Sequence, residues 1–190
     1  MLRQFKPAIY IFIVLTLGVG VIYPAIGFVI GQTIFKNQAN GSIAYMNKTP
    51  VGSYLLGQSF SGKIWFQPRP SAVGYEGNSS GASNLALTNP KLIQNIEQLA
   101  NDYRRQNGLP KTTSVPADAV TTSGSGLDAD ISVANAELQA PRVAKARSIS
   151  LALVQSMIDR ATSTSPSFIF GTKVVNVVTL NLELKEMKLQ

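Results

Sequence analysis

Neither histidine nor cysteine occurs anywhere in the 190 residues. The lack of histidine excludes Ser-His-Asp and Cys-His nucleophile systems, together with every metal site built on imidazole. The lack of cysteine leaves no disulfide framework, and a thiol-free chain suits an exported location and a cytosolic one equally. Ser-x-x-Lys is absent as well, which removes serine hydrolases that use a lysine base. Acid–base chemistry by carboxylates survives these exclusions. The closest acidic pair is Asp128 and Asp130, which read first as loop or helix-start residues.

Charge is sparse too, and it is missing altogether from Ala8 to Ile30, where Thr16 is the only clearly polar side chain. A helix over that stretch, rising about 1.5 Å per residue, reaches roughly 35 Å and crosses a hydrocarbon core of about 30 Å. Helix is the only spanning form open to a single segment, because each backbone donor and acceptor must be satisfied without water. The run is too long for a signal peptide, and Asn37-Gln38-Ala39 is a poor cleavage site. The expected division is therefore a cytoplasmic amino terminus over residues 1–7, a transmembrane helix over 8–35 and an extracytoplasmic domain over 36–190. Arg3 and Lys6 before the span set this orientation against the single Lys36 just after it.

Within the span, Gly20, Pro24, Gly27 and Gly31 fall on one helical stripe. Small residues in a row let another helix backbone approach, so the stripe predicts packing against partner helices in lipid. Pro24 removes one backbone bond and predicts a kink.

The formal net charge is +7, and 15 basic against 10 acidic residues remain once Arg3 and Lys6 are set aside. The basic residues are scattered, so no nucleic-acid footprint forms; anionic headgroups or an acidic partner surface suit the excess better. After the span comes a polar connector, with Ile43-Ala44-Tyr45 as an edge-strand candidate. Gly52–Phe60 and Lys63–Phe66 read as short strands about a Ser61-Gly62 turn. Residues 71–88 are rich in Gly, Ser and Asn, a length that implies mobility or function.

Asn89-Pro90 opens a helix with an apolar face through Leu92, Ile96, Leu99 and Tyr103, closed by Gly108. Residues 112–132 form a second Gly/Ser-rich loop. Its Gly124-Ser125-Gly126 is no dinucleotide fingerprint, since no buried strand feeds it. No Walker ending and no Asp-Lys-Thr-Gly-Thr phosphorylation motif occurs. What remains is a loop whose free amides and hydroxyls could hold a polar ligand or a partner's backbone. Ser132 caps a helix to Gln139, Pro141 restarts a turn, and Arg142–Arg147 continues helically with Arg142 and Lys145 on a solvated basic side. Ser150 caps another helix with Leu151, Val154, Met157 and Ile158 on one side. Phe168–Gly171 and Lys173–Leu184 read as strands, the latter from alternation of Val178, Leu180, Leu182 and Leu184. The fold class expected is α+β: one amino-terminal transmembrane helix, then a small exported α+β domain.

Five segments carry a resemblance. They are Arg69-Pro70-Ser71-Ala72; Gly81–Leu85 with Asn89-Pro90; Thr122–Asp128 with Ile131-Ser132; Arg142–Arg147; and Val175-Asn176-Val177 with Leu180-Asn181-Leu182. In this order, with Tyr23-Pro24 and Gly31-Gln32 in the span, the series resembles the C chain of the Kdp-type potassium-transporting ATPase over nearly the whole sequence. The resemblance implies an accessory, non-catalytic subunit of an ATP-driven potassium importer in a bacterial inner membrane. It implies two larger partners, a catalytic P-type subunit and a channel-like potassium-binding subunit. It also implies a role as catalytic chaperone raising the ATP affinity of the catalytic subunit. ATP and K⁺ belong to the complex, and no cofactor, metal or catalytic residue is assigned to this chain. The family's Leu-Ser-x-x-Gln nucleotide signature is matched here by Ile149-Ser150-Leu151-Ala152-Leu153, which lacks the glutamine, so no nucleotide-binding residue is assigned. Arg69, Ser83, Asn84, Ser125 and Asp128 are the loop residues expected to meet a partner, with turn formation as their alternative role. A membrane-anchored hydrolase and a polymer-binding module are the competing functional readings.

Overall fold

The computed structural model describes residues 2–163 and 171–187. By contact the chain divides between Ile43 and Ala44. The first unit begins with α1 (Leu2–Leu17), a π turn over Gly18–Ile22 and α2 (Tyr23–Thr33), followed by the short α3 (Lys36–Ala39). Together Arg3–Thr33 form a helix long and apolar enough to cross a membrane. At about 1.5 Å per residue it extends roughly 46 Å. The expected kink at Pro24 takes the form of the π turn just before it. Proline has no N–H, and its ring crowds the carbonyl four residues back, that of Gly20. A wider turn in which Tyr23 N bonds Gly18 O accommodates both effects.

Next comes a hairpin of β1 (Ile43–Met46) and β2 (Thr49–Ser53), which belongs to the second unit from Ala44 onward. Asn47 and Lys48 between them both have positive φ, 49° and 66°, the signature of a type I′ turn. Residues 54–89 contain no helix or strand. Then come α4 (Pro90–Asn107), a 3₁₀ turn at Ala117–Ala119, β3 (Asp130–Ser132), α5 (Val133–Arg147), α6 (Leu151–Ala161), β4 (Thr162–Ser163), β5 (Val174–Asn176) and α7 (Val177–Glu186). The three-stranded sheet runs β3-β5-β4 and is antiparallel, with Val175 opposite Ile131 on one side and Thr162 on the other. This is the α+β architecture expected of the sequence.

The helix starts follow from local chemistry. Asn89 Oδ1 accepts from Lys91 N at 2.9 Å, Ser132 Oγ from Asn135 N at 3.1 Å and Ser150 Oγ from Leu153 N at 3.2 Å. Gly108, at φ 66°, ends α4 in the left-handed conformation. The main core gathers Ile131, Val143, Met157, Val175 and Leu180 from the sheet, α5, α6 and α7, with Phe66 inserted from the irregular stretch. A smaller cluster forms around Tyr103, Ala119 and Val120 under α4.

Four expectations are corrected. Lys173–Leu184 is a strand only over Val174–Asn176; the rest is α7, because Asn176 Oδ1 caps it by accepting from Thr179 N at 2.9 Å. Pro141 does not interrupt α5, whose burial through Ala136, Ala140, Val143 and Ala144 offsets the lost backbone bond. Arg142 does not face solvent; it is 9% exposed, and Arg147 is 5% exposed. Lys145 alone of the expected pair lies exposed. Finally, Gly52–Phe60 and Lys63–Phe66 are not strands beyond Ser53. Phe168–Phe170 lies outside the described residues.

Lys63 and Ile64 form a turn and Trp65 a bend, and the partners of this segment show how its backbone is satisfied outside any sheet. Asn181 offers both halves of its amide to one residue: Oδ1 accepts from Phe66 N and Nδ2 donates to Phe66 O, each at 2.9 Å. Gln139 treats Gln67 the same way, at 2.7 and 3.1 Å. Arg142 Nη1 donates to Lys63 O and Trp65 O at 2.6 and 3.0 Å, and Arg147 Nε donates to Ile64 O at 2.7 Å. Side chains of α5 and α7 thus take the place of a neighbouring strand, satisfying backbone groups that burial would otherwise leave unpaired.

Candidate functional site

Two features could carry recognition: the apolar helix, and the loops that meet around Asp128. On the helix, Gly20 lies within the π turn and one turn before Pro24, with Gly27 and Gly31 following in α2. At Gly27 an added Cβ would meet nothing within 4 Å, so that face is open. At Gly31 it would meet Ala39 Cβ at 3.5 Å, because α3 folds back over it. Asn40 Nδ2 fastens that return by donating to Gln32 Oε1 at 3.1 Å and Lys36 O at 2.6 Å. The open notch is therefore centred on Gly27.

The loop cluster joins the two Gly/Ser-rich stretches to each other. Arg69 Nη1 donates to Asp128 Oδ2 at 3.1 Å, and Arg69 Nη2 donates to Thr122 O at 3.4 Å. Asp128 Oδ1 also accepts from Asp130 N at 3.0 Å, which fixes the entry to β3. Ser71 is a hub: Oγ donates to Gly126 O at 2.6 Å and accepts from Val73 N and Tyr75 N. Tyr75 donates its hydroxyl to Arg69 O at 2.7 Å, and burial pushes its phenol up. Ser125 O accepts from Gly81 N at 2.9 Å and from Ser80 Oγ at 3.3 Å, and Thr122 Oγ1 reaches Ser83 Oγ at 3.5 Å. Of the five expected contact residues, Arg69, Ser83, Ser125 and Asp128 belong to this cluster. Asn84 follows Ser83 in a left-handed conformation at φ 51°.

Close backbone approach explains two of the glycines. Gly126 has φ 69°, and a Cβ there would lie 2.7 Å from Gly81 O. At Gly57 a Cβ would lie 2.6 Å from Asp128 O, and Gly57 N donates to Leu127 O at 2.8 Å. Amides and hydroxyls expected to be free for a ligand are thus largely spent between the loops. Sequence reasoning missed Ser71, Gly57 and Tyr75; the close approach of Gly57 and Gly126 depends on segments far apart in the chain.

The carboxylates are engaged structurally. Asp128 serves Arg69 and Asp130 N, while Asp130 Oδ1 accepts from Asn176 Nδ2 at 2.9 Å. Asp118 receives Ser132 N, Ser132 Oγ and Asn135 Nδ2 at 2.8–2.9 Å. Among the described residues no group of three or more His, Cys, Asp or Glu side chains could hold a metal ion. The arrangement offers a braced polar surface, in which the Ser132 hydroxyl and the Asp118 carboxylate are engaged in capping α5.

The family model described as KdpC, the c chain of K⁺-transporting ATPase, matches residues 5–186. A potassium-transporting ATPase KdpC subunit of Mycobacterium tuberculosis is 43% identical over 189 residues, covering 98% of this chain and all of the relative. The corresponding subunit of Pectobacterium atrosepticum is 42% identical over 190 residues, covering 98% of both chains. That of Janthinobacterium is 44% identical over 189 residues, covering 98% of this chain and all of the relative. An apolar amino-terminal helix, an α+β unit behind it and agreement along almost the entire length lead to one assignment: the chain belongs to the KdpC family, the c chain of the K⁺-transporting ATPase.

Proposed function

We infer that the chain is a non-catalytic accessory subunit of an ATP-driven potassium importer, held in a bacterial inner membrane by its single apolar helix. The observation that carries this reading is the agreement with the family over residues 5–186, which takes in the helix and the domain together. Its partners are a catalytic P-type subunit and a channel-like potassium-binding subunit. The helix docks on their spans through the small-residue face of Gly20, Pro24, Gly27 and Gly31, with Gly27 at its centre. Arg3 and Lys6 keep the amino terminus in the cytoplasm, so the unit after the helix lies outside. There the loop cluster of Arg69, Ser83, Asn84, Ser125 and Asp128 presents its braced surface to the potassium-binding subunit. From that side the chain cannot touch cytoplasmic ATP, so any gain in ATP affinity passes to the catalytic subunit through the complex.

The test has two arms. Purified in mild detergent, the complex should contain this chain beside large polytopic subunits and lose potassium-dependent ATPase activity when the chain is deleted. Protease added to intact spheroplasts should digest the unit after the helix. Full activity without the chain, or turnover by the chain alone, would replace this reading with that of an anchored hydrolase or a polymer-binding module.

A further inference from the structure

The buried arginines of α5 pose an electrostatic question. The ion pairs among the described residues are Arg69–Asp128, Arg105–Asp102 and Arg160–Glu183, so neither Arg142 nor Arg147 has a carboxylate partner. Burying a charge without a counterion is costly, and hydrogen bonds to neutral groups compensate only in part. Arg147 is enclosed: it lies over the Trp65 ring at 4.4 Å and donates to Ile64 O and Leu184 O. Arg142 instead borders open space. Although only 9% exposed, it forms part of the wall of a cleft of about 430 Å³, with Lys63, Ser59, Ser61, Gln67 and Gln106 around it.

A guanidinium has five N–H donors. Arg142 gives one from Nε to Asn107 Oδ1, two from Nη1 to the Lys63 and Trp65 carbonyls, and one from Nη2 to Gln139 Oε1. One N–H on Nη2 is left, and all four acceptors are neutral. A cation nine-tenths buried, with one donor to spare, thus meets a cleft that also offers an ammonium, two hydroxyls and the Gln106 carboxamide, the Gln67 amide nitrogen being spent on Gly62 O and Trp65 O.

We propose that this cleft binds a phosphoryl group, with Arg142 as its fixed cation and Lys63 as its outer one. The arrangement of donors selects the anion. Each of the three guanidinium nitrogens already serves a protein acceptor, so the two-pronged grip that favours a carboxylate is closed. The donors that remain come singly and from different sides, which suits a group with several oxygens around one centre. Lysine serves such a group as a point charge. Inorganic phosphate and the headgroup of an anionic phospholipid share this chemistry.

The full-length chain in uncharged detergent micelles tests it, with Trp65 as an internal reporter because it is the chain's single tryptophan. Inorganic phosphate, titrated against chloride at constant ionic strength, should change Trp65 emission saturably, whereas chloride should not. Lys63 is exposed, so Lys63→Glu should leave the unfolding midpoint in place while weakening phosphate about tenfold, the scale expected from reversing one nearby surface charge. Micelles doped with phosphatidylglycerol separate the sources. If the headgroup is bound, doping reproduces the change and dissolved phosphate competes it away; if the free ion is bound, doping has no effect and only dissolved phosphate acts. Coincident phosphate and chloride curves with no effect of phosphatidylglycerol would overturn the proposal, as would wild-type affinity in Lys63→Glu.

Discussion

The apolar helix and the unit that follows Ala44 satisfy their backbones and side chains by opposite means. In the helix the backbone pairs within the rod except where Pro7 and Pro24 lack an N–H, yet its side chains, Phe5, Tyr10, Phe12 and Phe28 among them, lie exposed on the chain's own surface. Their burial has to come from lipid or from other helices. In the second unit the apolar side chains find one another, and it is the backbone that needs help. Long stretches outside helix and sheet are held by Arg142, Arg147, Gln139, Asn181 and Ser71. One region bonds its backbone to itself, its prolines aside, and is incomplete in its packing; the other packs itself and spends buried polar side chains on its irregular loops.

The largest effect that would sharpen this contrast is expected at Arg142. Arg142→Met removes four hydrogen bonds and strands the Lys63 carbonyl, leaving Trp65 O with only the long bond from Gln67 Nε2, so the second unit should lose about 3 kcal/mol or more. Urea unfolding followed at Trp65 reads the loss. A stability within 1 kcal/mol of wild type would mean that the irregular segment does not depend on its side-chain partners.

Gly126→Ala comes next. It forces a Cβ into the left-handed region and against Gly81 O, at about 2 kcal/mol, and the same unfolding experiment should show it. Unchanged stability would mean that the two Gly/Ser-rich loops are not joined in solution.

A smaller effect is expected from pH. Burial raises the Tyr103 phenol in the folded state, with the Asp118 charge adding to it and Arg142 opposing. Up to about pH 10 both states keep the proton; above that the unfolded chain ionises first, so stability falls as pH climbs. Tyr103→Phe should flatten that alkaline slope, leaving the weaker contribution of Tyr75, even though it lowers stability at neutral pH by losing the bond to Asn135 Oδ1. An alkaline slope identical to wild type would remove Tyr103 from this role.

What could be read in advance followed the same divide. The apolar helix was legible because a hydrocarbon environment imposes one rule on every side chain. The starts of α4, α5 and α6 were legible because Asn89, Ser132 and Ser150 act on amides within three residues. Residues 177–184 misled because two periods coexist there: Val178, Leu180, Leu182 and Leu184 alternate, while Val177, Val178, Leu180, Asn181 and Leu184 share a helical face and are the ones buried. The cap from Asn176 decides between them, and it competes with strand pairing in a way alternation does not reveal. Arg142 was hidden for a different reason. Charged residues belong outside by default, and only the carbonyls of Lys63 and Trp65, far away in sequence, reverse that preference. The loop cluster was half legible: Arg69, Ser83, Ser125 and Asp128 meet as neighbours, but the hub at Ser71 depends on a tertiary contact with Gly126.

The contrast comes to a point at Gly27, where the rod is open and an added Cβ would meet nothing within 4 Å beyond the helix's own nearby backbone and the adjoining residues. Gly27→Leu in the full-length chain, scored by recovery of the assembled complex in mild detergent alongside the unfolding midpoint of the unit after Ala44, tests it directly. The account predicts that recovery falls several-fold while the midpoint stays at the wild-type value. Recovery equal to wild type would contradict it.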